Sequence, residues 1–341
     1  VRPALRLTGR GAALALAATV GCRGALDQSM LEPSGPLARL ISREFWLAFY
    51  TAAAVYLITV GFLFYALSRS RRRARAGAAE PADSERAMTR GVAIGTGATL
   101  AILLVFLFHD FTVGRTLSPI PTRRPLTIEL VGHQWWWEVH YDDSLPQNRV
   151  TTANEIHIPV GEPVLFRLTA ADVIHSFWVP NLAGKKDLIP GYTQTMWFQA
   201  DTAGVYRGQC AEFCGMQHAK MALFVIAEPR ERFEAWARQM RKPAAAPTDS
   251  VAKRGSEIFM TGTCAMCHAI DGTAAGSNAG PDLTHLASRR TIAAGTLPNT
   301  RGSLAGWIVD PQTIKPGANM PPNMLEPKEL DALLAYLQGL R

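Results

Sequence analysis

Residues 45–67 (FWLAFYTAAAVYLITVGFLFYAL) carry no charged side chain over twenty-three positions. A helix rises about 1.5 Å per residue, so a run of this length crosses a hydrocarbon core about 30 Å thick. A second run, 91–108 (GVAIGTGATLAILLVFLF), is shorter and richer in Gly and Thr. Small residues of this kind let helices approach closely in lipid. Taken alone it also reads as a buried helix of a soluble domain, but next to the first run it predicts the second arm of a transmembrane hairpin over 45–114.

The stretch joining the two runs, SRSRRRARAGAAEPADSERAMTR, holds Arg69, Arg71, Arg72, Arg73, Arg75, Arg86 and Arg90. Arginine collects on the cytoplasmic side of membrane spans. The expected topology is therefore a cytoplasmic Arg-rich loop, with both ends of the hairpin outside and everything after about residue 115 extracytoplasmic. Most of the net charge of +7 comes from arginine, and much of it clusters here. Lying between two lipid-spanning segments, the basic stretch reads as a topology signal, and no nucleic acid is expected as a partner.

Upstream, residues 1–22 (VRPALRLTGRGAALALAATVGC) have a basic start and an apolar run over 12–20 too short to span a bilayer. This reads as a signal peptide. Small residues before Cys22 fit lipoprotein processing with Cys22 acylated, although Thr19 stands where an aliphatic residue is usual. Ordinary cleavage nearby is the alternative.

From 121 to 228 the pattern changes to short β-like runs separated by turn residues, which predicts an antiparallel sandwich or barrel. Residues 229–250 read as a short charged helix fading into a Pro/Ala linker. The last segment, 251–341, is helical at both ends, with Leu330, Leu333, Leu334 and Leu337 spaced for one apolar face.

The five cysteines each fall in a local pattern, so no structural disulfide need be invoked. Cys264-Ala-Met-Cys267-His268 is the attachment signature of a c-type haem: two thioether cysteines about one helical turn apart, then the proximal iron ligand. A thiol-redox pair is the competing reading. Downstream, KPGANMPPNM offers Met320 and Met324 as distal ligands, and Met320 sits in a proline-bracketed loop. The segment resembles a class I cytochrome c domain, through this motif together with Gly255, Phe259 and GPDL at 280–283. That resemblance implies that the Pro281 carbonyl accepts a hydrogen bond from His268 and that Met320 is the distal ligand. Met324 is left to packing or the surface, and His285 is expected to be a surface histidine.

Cys210, Cys214, His218 and Met221 follow the spacing C-x3-C-x3-H-x2-M on a loop between two expected strands. Thiolate, thioether and imidazole select copper, zinc or iron–sulfur over hard cations. A mononuclear blue-copper site needs one cysteine fewer, so two metals bridged by two thiolates becomes plausible. The missing second imidazole is best supplied by His175 in DVIHSFWVP. A Cys210–Cys214 disulfide, a zinc site and a core role for His175 compete with this reading. His133 and His140 are expected to hydrogen-bond locally, and His157 shows no ligand context.

The segments VGHQWWWEVHY, VIHSFWVP, DLIPGYTQTMWF and GQCAEFCGMQHAKM occur in the order seen in cytochrome c oxidase subunit II. With two preceding membrane helices and a trailing haem segment, the chain resembles the subunit II of a caa3-type oxidase. The resemblance implies a multi-domain fold. A two-helix transmembrane hairpin is followed by an all-β cupredoxin-like sandwich (121–228), a linker (229–250) and an all-α class I cytochrome c domain (251–341). It implies a binuclear CuA centre bridged by Cys210 and Cys214, with His175 and His218 terminal, Met221 weak and Glu212 giving its backbone carbonyl. It also implies a covalently bound haem c and a magnesium held by the Glu212 side chain at the border with subunit I. Electrons are expected to come in near Trp135.

By the same resemblance the partners are haem–copper subunit I, subunit III, and a donor that is a cytochrome c or a bc-type complex. The setting is a bacterial cell membrane, crossed twice, with the copper and haem domains outside. One departure stands out: the region before the second span, SERAMTRGVAIGTGA, lacks the Glu-Trp-Pro start of many relatives, so no proton role is carried over to Glu85. The rival class is a free-standing membrane-anchored haem/copper electron carrier. The second membrane helix counts against it, because a carrier needs only one anchor.

Overall fold

A computed structural model describes residues 28–77, 84–117, 120, 122, 125–143 and 145–341. The expected signal peptide and Cys22 lie outside the described residues. Helix α1 spans Pro36–Arg75 and α2 spans Ser84–Leu117. Proline at the first turn of α1 costs nothing, because that N–H would have no intrahelical partner. Both helices outrun their uncharged segments. Arg69 to Arg75 ride on the last turns of α1 and Arg86 and Arg90 on the first turns of α2. Most of the stretch read from sequence as a loop is therefore helix.

Tyr56, Ile58, Phe62, Ile94 and Phe108 are among the many large apolar side chains that α1 and α2 leave exposed. A continuous apolar surface of this kind belongs in lipid or against other membrane helices, and it fits a two-pass membrane anchor. Glu44 and His109 link the two helices at 2.9 Å, near the ends away from Arg69 to Arg75 and from Arg86 and Arg90. Those same ends are tied to the β-domain. Ala38 N donates to Leu182 O at 3.2 Å, and Trp197 Nε1 donates to Leu117 O at 3.1 Å.

The β-domain is a sandwich of two five-stranded sheets. One holds β1 (Leu126–His133), β2 (Trp136–Asp142), β3 (Val150–Ala153), β5 (Val164–Ala170) and β8 (Gln194–Phe198), in the order β3-β2-β1-β5-β8. The other holds β4 (Glu155–Pro159), β6 (His175–Trp178), β7 (Lys186–Leu188), β9 (Gly204–Cys210) and β10 (Ala222–Glu228), in the order β4-β10-β9-β6-β7. Most neighbours are antiparallel, but β1–β5 and β4–β10 run parallel. Alternation sets the inner faces: on β5, Val164, Phe166, Leu168 and Ala170 are buried, and Phe166 meets Phe198 on the neighbouring β8 and Phe177 across the core. Burying side chains of this size contributes about 1.5–3 kcal/mol each.

Helix α3 (Arg230–Met240) lies against this sandwich. Phe233 joins its core, and Trp236 stacks on His157 with ring centroids 4.1 Å apart. The last domain has its own core, gathered around Phe259, Leu333, Leu337 and Ile308. Helix α4 (Ser250–Thr261) starts at Asp249, whose carboxylate accepts from Val251 N and Ala252 N. Helices α5 (Arg301–Val309) and α6 (Pro311–Ile314) follow, and α7 (Pro327–Gly339) closes the chain. α7 crosses α4 at Gly255, where a Cβ would collide with the Ala332 backbone carbonyl. The close crossing brings Phe259 and Tyr336 edge to face at 6.0 Å. Leu333, Leu334 and Leu337 are buried as their spacing predicts, with Leu330 partly buried beside them.

Candidate metal centre and haem site

The loop between β9 and β10 is closed at its neck by Cys210 N donating to Met221 O at 3.0 Å. A second bond, Ala211 N to Ser176 O at 2.9 Å, ties it to β6. This brings His175, the first residue of β6, beside the two cysteines. Cys210 Sγ and Cys214 Sγ are 3.7 Å apart, and both thiols are free. A disulfide needs about 2.05 Å, so the arrangement is not that of a disulfide.

Each sulfur has an imidazole beside it. His175 Nδ1 is 3.9 Å from Cys210 Sγ, and His218 Nδ1 is 3.7 Å from Cys214 Sγ. Met221 Sδ lies 3.8 Å from Cys214 Sγ, and the Glu212 carbonyl oxygen lies 3.2 Å from Cys210 Sγ. His175, Cys210, Cys214 and Met221 are buried, whereas His218 is half-buried and the Glu212 side chain is exposed. Paired sulfurs with an imidazole on each side fit two soft metal ions sharing two thiolates. The hydrogen bond with Cys214 pulls the Cys210 thiol well below its ordinary range, although burial opposes it. Cys214 is pushed up in turn by that same neighbour and by burial.

Asp172 went unnoticed in the sequence. Its Oδ1 accepts from His175 Nε2 at 2.8 Å, which leaves the Nδ1 lone pair facing Cys210. Its Oδ2 accepts from Gln134 N at 2.6 Å. Burial pushes the Asp172 carboxyl up, yet the bond to His175 leaves it below the usual range. Gly132 was also missed. A Cβ there would come within 2.7 Å of His175 Cδ2, so only glycine leaves room for the ring. The signal for Asp172 was its position three residues before the histidine; nothing in the sequence marked Gly132.

Trp135 is buried, and its Nε1 donates to Cys214 O at 2.9 Å, alongside Gln134 Nε2 at 2.7 Å. The other histidines turn inward to protein partners. Glu138 lies between His133 and His140, at 3.0 and 3.3 Å, and His157 Nδ1 meets Glu228 at 2.7 Å.

In the last domain, Cys264 begins a short 3-10 turn, with Cys264 half-buried and Cys267 exposed. His268 Nδ1 and the Pro281 carbonyl are 2.7 Å apart. Burial lowers the His268 pKa, so the neutral ring donates from Nδ1 and keeps Nε2 free as a ligand. Met320 packs against the domain core, and its loop is held by Gln312 Nε2, which donates to Ala318 O and Met320 O at 2.8 and 2.9 Å. Two free thiols, an oriented histidine and a tethered thioether fit a covalent haem. Met324 lies on the surface, fully exposed. His285, expected on the surface, is instead buried, with Nε2 on Lys242 O at 3.0 Å; the contact with the chain before α4 covers it.

The model of the cytochrome C oxidase subunit II periplasmic domain matches residues 126–228, and that of cytochrome c matches 252–341. Cytochrome c oxidase subunit 2 of Alkalihalophilus pseudofirmus is 36% identical over 333 residues, which is 94% of this chain and 93% of that one. The chain belongs to the cytochrome c oxidase subunit II family. It is a fused member of the caa3 type, carrying its own cytochrome c domain behind the subunit II sandwich. The subunit 2 of Bacillus sp. (strain PS3) is 35% identical, aligning 64% of this subunit II chain with 63% of its own. Among solved structures, the periplasmic domain of subunit II from Bradyrhizobium japonicum is 30% identical. It aligns 36% of this chain with 97% of its own, at a TM-score of 0.34.

Proposed function

We propose that this subunit receives electrons on its haem domain and hands them through the β-sandwich to an oxygen-reducing subunit I. The observation that carries the reading is the pair of thiols 3.7 Å apart, each flanked by an imidazole nitrogen. Cys210 and Cys214 would bridge two coppers, with His175, His218, Met221 and the Glu212 carbonyl completing the CuA set. Such a centre supplies one-electron storage shared over two metals, with little change in bond length. The chain's residues supply rigidity: β6, β9 and β10 carry the ligands, and Asp172 and Gly132 fix the His175 ring.

Cys264 and Cys267 would hold a haem c between His268 and Met320, with Pro281 orienting the histidine. Methionine ligation raises a haem's potential, which suits passing electrons on rather than binding oxygen. Trp135, hydrogen-bonded to the Cys214 carbonyl, is the side chain through which electrons come in. The exposed Glu212 carboxylate is left for a magnesium at the border with subunit I. The exposed apolar faces of α1 and α2 would lie in the membrane against subunit I, with subunit III in the same complex. A cytochrome c or bc-type complex would feed the haem. The arginine-bearing ends of the helices would be cytoplasmic and both metal domains extracytoplasmic.

The test is metal analysis and electron paramagnetic resonance on the purified chain. The expected result is about two coppers per haem, with hyperfine structure from one electron shared by both. Zinc, or a single localised copper, would refute the copper assignment. Copurification with a large haem-containing membrane protein supports the oxidase role; purification of the chain alone from mild detergent would count against it.

A further inference from the structure

Among the ionisable side chains that cross between the haem domain and the sandwich, two are buried, Glu155 and Lys315. Glu155, on β4, is 4% exposed, and its Oε1 accepts from Arg290 N and Thr291 N at 2.6 and 3.2 Å. Those amides lie at the start of the small hairpin of β11 (Thr291–Ile292) and β12 (Leu297–Pro298) in the haem domain. Lys315, from the haem domain, is 3% exposed. Its Nζ donates to Trp135 O at 2.6 Å in the sandwich and to Ala293 O at 3.3 Å in its own domain.

Between these two points the haem domain rests on the copper loop itself. Gln217 Nε2 donates to Pro316 O at 2.6 Å, Lys220 Nζ donates to Ile314 O, and Ala222 N donates to Ala294 O at 3.0 Å. Asn319 Nδ2 reaches Gln134 O at 3.4 Å, just before Met320.

A charged group is costly to bury unless its hydrogen bonds are met. On a freely swinging domain both side chains would sit in water at no such cost. Here Glu155 finds its two donors only across the boundary. Burial pushes the Glu155 carboxyl up and the Lys315 ammonium down to about 7, so both are strongly desolvated in the docked arrangement.

We propose that Glu155 and Lys315 are positioning residues, reciprocal pins that hold the haem domain docked with its 315–319 loop on Trp135, so that haem-to-copper transfer runs at one fixed geometry. This rests on the electron-relay reading above. One electron leaves reduced haem and one arrives at oxidised copper, with no bond made or broken.

The test uses the full chain, loaded with haem and copper in detergent. Amide hydrogen exchange at Arg290 and Thr291 reports docking without reference to redox activity. Both amides are expected to exchange slowly in the wild type, to be released by Glu155→Leu, and to stay protected in Glu155→Gln, whose side-chain oxygen accepts the same bonds. The second measurement is flash-initiated haem-to-copper transfer in a Glu155→Leu/Lys315→Met variant. Its rate is expected to fall about tenfold, in proportion to the docked fraction, with both centres' potentials and spectra unchanged. Fast exchange at both amides in the wild type, or an unchanged transfer rate in the double variant with both centres intact, would overturn the proposal. Protection without a two-copper spectrum would uphold the docking and overturn the copper assignment instead, so the two failures are told apart.

Discussion

At the scale of single residues, the side chains that would touch metal and those that aim them separate cleanly. Asp172 holds the His175 ring from behind, so Asp172→Ala should weaken copper binding about 10–100-fold, read by competitive chelator titration. Gly132→Ala should do the same by pushing the ring aside. Met320→Ala should lower the haem potential and leave the copper spectrum intact; an unchanged potential would remove Met320 as the ligand. Glu138 makes a prediction about pH. Burial pushes its carboxyl up, but His133 and His140 more than reverse this and hold it at about 2. A carboxyl lowered on folding stabilises above its ordinary pKa of 4.5 and loses that contribution as pH falls through about 2. Glu138→Gln should therefore cost about 2 kcal/mol at pH 6 and flatten the loss of stability between pH 4.5 and 2, seen by thermal denaturation.

That Cys210, Cys214, His218, Met221 and His175 would gather was legible, because soft donors at short spacing suggested a metal loop and the family resemblance supplied His175. Their chemistry travels with the residue type. Gly132, Glu155 and Lys315 were not legible, because each matters only through a neighbour distant in the chain. His285 was misread for the same reason: what buries it is the chain before α4, which local pattern does not show.

At the scale of elements, the helix ends explain where the reading from sequence stopped short. Arginine read as a loop signal, yet arginine is also a good helix former, and α1 continues through it to Arg75. The uncharged runs marked what can lie in lipid, not where the helices end. In the haem domain the α4–α7 crossing depends on a single missing side chain. Gly255→Val should separate the helices and prevent folding of the domain, read as loss of covalent haem. Removing the α4 cap is milder: Asp249→Ala should cost about 1 kcal/mol with haem retained, measured by denaturant titration. The β-domain was legible as a sandwich or barrel from its short runs and turn residues, and the family resemblance chose the sandwich. Its two parallel pairings, β1–β5 and β4–β10, were not, because alternation fixes which face is buried but not which strand lies alongside.

At the scale of the whole molecule, three bodies share one chain and their joints differ. The hairpin meets the sandwich at both of its membrane-leaving ends, through Ala38 and Leu117, which leaves the ends with Arg69 to Arg75 and with Arg86 and Arg90 pointing to the other side. A single cysteine placed at Arg71 should then be labelled by impermeant reagents only from the cytoplasm, and one placed at Gln147 only from outside. Labelling of both from one face would rule out the two-pass arrangement.

The seat of the haem domain on the copper loop has a kinetic side. Two separate proteins must find each other, and charge steering and dilution then set how often they meet. A partner carried on the same chain is always present, at an effective concentration on the order of millimolar for a short tether. With Pro316 and Ile314 already resting on Gln217 and Lys220, the proposed relay would need no such search. In that relay, the internal hop should ignore ionic strength and protein dilution alike, and only an encounter with an outside donor would slow with salt.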